Sequence, residues 1–386
     1  MFELFYNYYM KIAGIVAEFN PLHYGHKYLI DLVKNEYKMD LVIVAMSPNF
    51  VMRGEASIFN KFDRTKHALE AGIDIVAEIP TILTLESADI YASAAIQLLS
   101  KLKITDLFFG VESTDETIFD RIVECMETVE YKNILKEMLK KGHSFKDASK
   151  KALLNIDESF NEILFSPNNL LAIEYIKSIK KINRKITPHF IKRKDTMYFE
   201  SINKSTIIQS SSAIREIINS DNCAAYVPYD IEKISKVVKN DCLNFLKYRI
   251  FSMTKEEMKD IQGVSEGIEG RIKTIKDFDN YDDLICYLVS KRNRETKINR
   301  ILMCILLNIK KDEVKNSKID YIRILGFNKI GQKYLASIKD VDIPIYTSIK
   351  KSQPLALYRE LDFTKIYSLL ANEDILDKEY SPIIFK

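Results

Sequence analysis

Two histidines three residues apart, His23 and His26 in NPLHYGHKYLI, are the residues of this chain best placed to do chemistry. They are two of only five histidines, and they follow an apolar run and open an amphipathic one. At a helix start this spacing projects both imidazoles from the first turn. Gly25 between them removes a side chain where an anion would approach the backbone, whose free N–H groups and partial positive charge favour phosphate. The helix dipole contributes only about 0.3–1 kcal/mol, too little to stabilise a phosphorus centre under attack. Directed donors aimed at transition-state charge contribute ~10²–10³ in rate each, so the histidines would matter more than the dipole. One isolated histidine here would be a cap or a packing group; two flanking a glycine point to phosphate chemistry.

Such a site needs a strand before it and a helix after it. IAGIVAE from Ile12 reads as that strand, FNPLH as the loop, and Tyr24 to Lys34 as the helix. The alternation continues with the apolar run LVIVAM at 41–46, a helix near Lys61 to Ala71, the run DIVAEIP at 74–80, a helix from Ser87 to Leu102 and the run ITDLFFG ending at Gly110. Unbroken apolar runs separated by helices predict an α/β fold with a Rossmann-like parallel sheet covered on both faces. Amphipathic stretches then predict a helical insertion at about 115–160 and a helix at 168–183 with Leu170, Ile173, Ile176 and Ile179 on one side. One more strand, ITPHFIKR, falls at 186–193, and the serines of QSSSAIREII are placed to cap a helix near 212. Beyond Pro228 the periodicity is mostly helical to about 340, with Pro344 and Pro354 marking a break before a short C-terminal helix. The expected organisation is an extension at 1–9, a Rossmann-like nucleotide domain at 10–225, and a mostly α-helical C-terminal domain at 226–386, with the boundary near 220–230.

Composition narrows the classes. A chain of 386 residues with 47% apolar and 29% charged residues, 11 glycines and 9 prolines is an ordered globular protein, expected to hold two domains. Cys125, Cys223, Cys242, Cys286 and Cys304 are odd in number and never spaced as CxxC, which predicts reduced, buried thiols and neither a disulfide framework nor a zinc ribbon. No protein metal site is indicated. The aromatic start MFELFYNYY lacks a basic region and a cleavage site, and no later run reaches the roughly 18 apolar residues of a membrane span. A cytoplasmic location with no membrane partner is expected. Net charge is only +3, so nucleic-acid binding must rest on local patches.

Further candidates follow from position. Gly110 closes a predicted parallel strand, at the edge where open α/β sheets bind ligands. SPNN at 166–169 precedes a helix, so its polar residues serve equally as a cap. Arg193 and Lys194 end a strand and suit phosphate, Arg as a fork and Lys as a point charge. Arg53, Lys61, Arg64 and Lys66 in MRGEASIFNKFDRTK bring four cations toward the second strand's carboxyl end, to face a ligand or to form a solvated helix face.

FNPLHYGH after a first strand resembles the HxGH signature of nucleotidyltransferases, and with it the HUP type of Rossmann-like fold. Beyond that motif, SPNFVMRGEASIFNKFDRTKHALEAGIDIVAEIP at 47–80, LFFGVES at 107–113, SPNNLLAIEYIKS at 166–178 and LGFNKIGQKYL at 325–335 resemble the tRNA(Met) cytidine acetate ligase family, from about Met10 almost to the C-terminus. The resemblance implies a ligase that makes acetyl-adenylate from acetate and ATP, with Mg²⁺ entering on the ATP. It then transfers the acetyl group to N4 of the wobble cytidine of elongator tRNA(Met), giving N4-acetylcytidine. It also implies that Val16, Ala17, Glu18, Phe19, Asn20, Pro21, Leu22, His23, Tyr24, Gly25, His26, Lys27, Tyr28 and Leu29 cradle ATP. Gly110, Asn168 or Asn169, Arg193 and Lys194 would complete the nucleotide site. SSSAIR at 210–215 is similar to the ISSTxIR signature of other HxGH enzymes, which implies phosphate contacts from Ser210, Ser211 and Arg215, with Gln209 in place of the usual apolar residue.

An RNA substrate needs cations for its phosphates. KSIKKINRK at 177–185 and SKRNRETKINR at 290–300 are the basic stretches, and Arg292, Arg294, Lys297 and Arg300 form the expected C-terminal patch. Other readings keep the ATP site and change the acceptor: an adenylyltransferase, or an acetate-activating ligase acting on another acceptor. From a different class, the chain would be a non-catalytic nucleotide- or RNA-binding module, against which the intact His23, Gly25 and His26 stand.

Overall fold

The computed structural model describes residues 10–193, 206–218, 221–231, 234–290, 293–338, 340–350 and 354–385, side chains of 221–222 excepted. The extension at 1–9 lies outside them. Strand β1 (Ile12–Ala17) is followed by helix α1 (Tyr24–Asn35), then β2 (Leu41–Met46) and a two-residue hairpin of β3 (Phe50–Val51) and β4 (Glu55–Ala56). Helix α2 (Lys61–Glu70), β5 (Ile75–Glu78), helix α3 (Ala88–Lys101) and β6 (Asp106–Val111) complete the expected alternation. All six residues of β2 are buried, as a strand covered on both faces requires. The register runs from Ile12 opposite Leu41 to Ala17 opposite Met46.

The expected insertion forms α4 (Glu116–Glu127), α5 (Val129–Lys140) and α6 (Phe145–Ile156), capped by Asp115, Thr128 and Ser144. Helix α7 (Pro167–Ile182) starts with proline at its first position and buries Ile173, Ile176 and Ile179, while Leu170 is half-buried. Strand β7 (Thr187–Lys192) and the short helix α8 (Ser211–Glu216) follow. Helices then occupy 243–315, the longest being α9 (Glu295–Leu307).

Helical periodicity does not persist to 340 as the sequence suggested. Ile322–Asn328 is strand β8, joined by β9 (Ile345–Tyr346) and β10 (Ile383–Phe385), and the C-terminal helix α10 (Leu355–Ala371) is 17 residues long. One sheet runs β10-β8-β5-β2-β1-β6-β7, with β9 on β8, and so draws strands from both sides of residue 225. Its pairs are parallel except β5 with β8. IRIL reads locally as either element; pairing with β5 on one side and β9 on the other makes it a strand. Four cysteines are buried as expected, whereas Cys286 is exposed, and all five are free.

Between sheet and C-terminal segment lies a buried charged cluster. The Lys61 ammonium is 2.6 Å from carboxylates of both Glu78 and Glu379, and Arg323 Nη2 donates to the Glu379 carbonyl at 2.7 Å. Glu360 Oε1 accepts from Thr81 N at 2.8 Å, and all five charged side chains are at most 2% exposed. Burial, with Glu78 adding repulsion, pushes the Glu360 carboxyl up from 4.5 to about 8. Between those values the unfolded chain has released a proton that the folded chain keeps, so stability falls as pH rises from about 4.5 to about 8. Glu360→Gln removes this dependence. The melting-temperature difference, variant minus wild type, should grow between pH 5 and pH 8 in differential scanning calorimetry. A difference that stays constant or shrinks refutes the assignment.

Candidate active site

Strand β1 lies between β2 and β6, where the order of the parallel strands reverses, and the carboxyl ends of β1 and β6 open a crevice there. Open α/β sheets bind their ligands at this kind of point. The cleft is lined by Val16 and Ala17 at the end of β1, by Phe109 and Gly110 at the end of β6, and by Phe19, His23, Gly25, His26, Tyr28 and Leu29 around the start of α1. Asn168, Leu171 and Tyr175 of α7 close one wall, with Ile191, Lys192, Arg193 and Ile208 on another.

His23 is the N-cap of α1, and its Nδ1 accepts the Gly25 N–H at 3.1 Å. His26 Nδ1 in turn accepts the His23 N–H at 3.3 Å, so each cap satisfies a backbone donor of the first turn. The two rings lie 3.8 Å apart, tilted by 31°, and Phe19 stands edge-on to His26 at 5.0 Å. Because both Nδ1 atoms accept, the proton of each neutral ring sits on Nε2. Burial, reinforced by Arg193, pushes His26 down to about 3. His23 is held well below the usual range by burial and then by His26, Arg193 and Arg215. At neutral pH the motif therefore presents two uncharged Nε2–H donors. Gly25 has a second purpose that the sequence did not show: a Cβ there would lie 2.9 Å from His23 Cε1, so only glycine leaves the His23 ring its place.

Cations stand around these donors. Arg193 packs over Gly110, where a Cβ would meet its Cγ at 3.3 Å, and its Nε lies 3.8 Å from the Glu112 carboxylate. Arg215 Nη1 donates to the Asn20 carbonyl at 2.9 Å and Nη2 to Ser212 Oγ at 3.1 Å, tying α8 to the loop after β1. Ser210 caps α8 through the Ala213 N–H at 3.1 Å, and Ser211 is its first helical residue. Gln209, the departure from the apolar pattern, is buried with its amide nitrogen 2.6 Å from the Thr206 carbonyl.

Asn168 and Asn169 part company. Asn168 lines the cleft and donates to Glu112 Oε1 at 2.7 Å, whereas Asn169 is buried and its Oδ1 accepts the Glu112 N–H at 3.0 Å. Glu112, absent from the sequence expectations, is thus held by Ser166, Asn168 and Arg193. Its place two residues after Gly110 was the available signal.

Other expected residues fall outside the cleft wall. Glu18 is half-buried, accepts the Met52 N–H at 2.8 Å, and has its carboxyl raised by desolvation. Asn20 Oδ1 accepts the Ile58 N–H at 2.8 Å, Leu22 is fully buried, and Lys27 pairs with Asp31; Pro21 and Tyr24 are not on the wall either. The cations of 53–66 also divide. Lys61 belongs to the buried cluster, and Arg64 donates to the carbonyls of Glu18, Ser47, Pro48 and Phe59, bracing the loops after β1 and β2. Arg53 Nη1 reaches Ser212 Oγ at 3.4 Å, and Lys66 is exposed. Residue type alone made them look like ligand-facing or solvated charges.

Lys194 and Arg292 lie outside the described residues. In the expected RNA patch, Arg294 is exposed and ion-paired with Asp147, while Lys297 is half-buried. Arg300 is half-buried, with burial lowering its guanidinium and Glu86 the foremost opposing charge. Among the described residues no group of three or more His, Cys, Asp or Glu converges as a metal site, and no helix is long and apolar enough to cross a membrane.

Comparison with known proteins gives consistent matches. The family described as HIGH Nucleotidyl Transferase matches residues 10–381. A tRNA(Met) cytidine acetate ligase of Staphylococcus haemolyticus is 37% identical over 98% of this chain and 100% of its own, and one of Clostridium perfringens is 36% identical over the same shares. The crystal structure of apo Thermotoga maritima TmcAL superposes with a TM-score of 0.89 at 28% identity, covering 97% of this chain and 100% of that one. The same protein bound with alpha-thio ATP gives 0.87 at the same identity and coverage.

Proposed function

The chain belongs to the HIGH nucleotidyl transferase family, among relatives named tRNA(Met) cytidine acetate ligase, and we propose from this that it activates acetate with ATP and acetylates the wobble cytidine of elongator tRNA(Met). In the first step an acetate oxygen attacks the α-phosphorus of ATP, the bond to the bridging oxygen breaks, and pyrophosphate leaves. In the second, N4 of cytidine attacks the acetyl carbon of the adenylate, AMP departs and the amine loses a proton. The product is N4-acetylcytidine.

The observation that carries this reading is the pair of histidine rings 3.8 Å apart at the strand switch point, each with its Nδ1 already accepting a backbone N–H, which leaves Nε2–H free to donate. Neutral imidazoles donate to phosphate oxygens without first losing a proton, and they keep a low-dielectric position that strengthens the bond. We assign His23 and His26 to the phosphates, where charge accumulates as the α-phosphorus gains a fifth ligand. Arg193 and Arg215 supply the long-range positive field on the same anion, with Ser210 and Ser211 at the start of α8. Phe109, Gly110, Leu171, Tyr175 and Ile191 offer the apolar wall an adenine needs, and Asn168 supplies a directed polar group there. Glu18, Asn20 and Arg64 act from behind by holding the loop that carries His23.

Mg²⁺ fits as an ion carried by ATP, held by phosphates and water, since Glu112 is already engaged by Ser166, Asn168 and Arg193. It would neutralise phosphate charge on entry. The division at about residue 225 stands as a proposal in which 226–386 contributes tRNA contacts, and the cytoplasm is the proposed location because its tRNA substrate is there.

Acetate-dependent ATP–pyrophosphate exchange, followed in the same sample by transfer of labelled acetate to elongator tRNA(Met), tests the reading. Both reactions are expected. Exchange without transfer would remove the acceptor, and absence of exchange with acetate would remove the activation step.

A further inference from the structure

Exposed aromatic rings and cations crowd together where α6, the start of α7 and the start of α9 meet. Phe145, the first residue of α6, is 64% exposed, and Phe165, just before α7, is 69% exposed. The Lys150 ammonium lies 3.4 Å from the centroid of the Phe165 ring. Arg294, at the start of α9, reaches across to α6 and pairs with Asp147. Lys146 and Lys150 are four residues apart on α6, a like-charge spacing that destabilises a helix. Partial burial and then the Arg294 and Lys150 charges press the Lys146 ammonium downward, with Asp147 the one opposing carboxylate among its main neighbours. Lys146 therefore has two cations and one carboxylate among its main charged neighbours, and an added anion would relieve that repulsion.

This patch also borders the nucleotide cleft. Phe165 precedes the cleft-lining Asn168 by three residues, a span of no more than about 11 Å even fully extended. Exposed rings beside clustered cations are the two elements of a single-stranded nucleic-acid surface: every base has a face to stack and every nucleotide a phosphate to neutralise. A duplex would offer its phosphates here but no free base faces.

We propose that Phe145, Phe165, Lys146, Lys150 and Arg294 form the surface that receives the unpaired nucleotides of the RNA substrate, rings stacking on bases and cations meeting phosphates, so that the helical insertion and the start of α9 together steer the target base to the cleft. This rests on the proposed tRNA acetylation. The insertion thereby gains a purpose that the nucleotide site does not use.

The test uses the full chain and unmodified elongator tRNA(Met), with affinity measured across salt concentrations and acetate-dependent exchange measured alongside. Phe145→Ala and Phe165→Ala should each weaken tRNA binding about tenfold, the scale of one base-to-ring stack, with exchange unchanged. Phe165→Trp should retain affinity, which separates stacking from mere folding. The pair Lys146→Gln and Lys150→Gln should flatten the log–log salt slope by about 1.4, at about 0.7 per single-strand phosphate contact. Wild-type tRNA affinity in all these variants, with exchange intact, overturns the surface. So does a change in sedimentation without a change in RNA affinity, which would make this face a contact between copies of the chain. If the wild-type chain neither exchanges with acetate nor binds tRNA, the proposed function itself fails, and the surface with it.

Discussion

His26→Ala is expected to lower acetate-dependent ATP–pyrophosphate exchange by about 10²–10³-fold in kcat, the usual loss for a preorganised donor aimed at transition-state charge. His26 Nδ1 is occupied by the His23 N–H, so the group that is lost is the Nε2–H facing the cleft. His23→Ala should cost at least as much, because His23 both donates and caps α1, and losing a cap costs a further ~1 kcal/mol of stability. Neither change touches the patch on α6 and α9, so tRNA affinity should hold within about twofold, against a 1.4 kcal/mol difference for each factor of ten. Wild-type exchange in either variant would remove the histidines from the chemistry. The pH profile carries a second check. With His26 near 3 and His23 held well down, exchange by the free enzyme should show no loss from protonating these imidazoles between pH 6 and pH 8.

Lys61→Met should have the largest effect on stability. Burial opposes the Lys61 charge, yet the Glu379 and Glu78 carboxylates outweigh it and hold the ammonium protonated. Removing the lysine leaves two carboxylates facing each other in the core without the cation that both contact at 2.6 Å. Breaking a buried pair by deleting one partner costs about 3–5 kcal/mol. A lower urea midpoint at an unchanged m-value would show it. The defect should shrink at pH 5 relative to pH 8, because protonating one of the stranded carboxyls relieves the repulsion. Adding Glu379→Gln to Lys61→Met should recover part of the loss, a coupling expected only if the residues act as one cluster. A Lys61→Met chain as stable as wild type would mean the cluster is solvated.

The cluster joins distant parts of the chain. Glu379 lies in the last eight residues, Glu360 on α10 and Arg323 on β8, yet Glu379 pairs with Lys61 of α2, Glu360 binds Thr81 just after β5, and β8 pairs with β5. Thr81 donates to both carboxyl oxygens of Glu360, through its N–H at 2.8 Å and its hydroxyl at 2.6 Å. Tyr367 adds a bond of 2.8 Å to the Ser57 carbonyl. The C-terminal segment therefore packs into the same core as α2 and β5, although it follows a long helical stretch.

What the sequence determined by itself was local. The order of strands and helices through β7 follows from the period of apolar residues, which depends only on near neighbours. The position of His23, Gly25 and His26 at a strand-to-helix junction follows from the same pattern. Tertiary structure decided the rest. It placed Lys61 and Arg64 inside the protein, because their partners come from carbonyls and carboxylates up to 318 residues away. It turned IRIL into a sheet strand, separated Asn168 from Asn169, and brought Arg294 to α6. A short motif constrains the chemistry of one turn of chain. Whether a charge is buried, which nitrogen carries a proton and which residues share a surface depend on the electric field and packing of distant segments, which no local window contains.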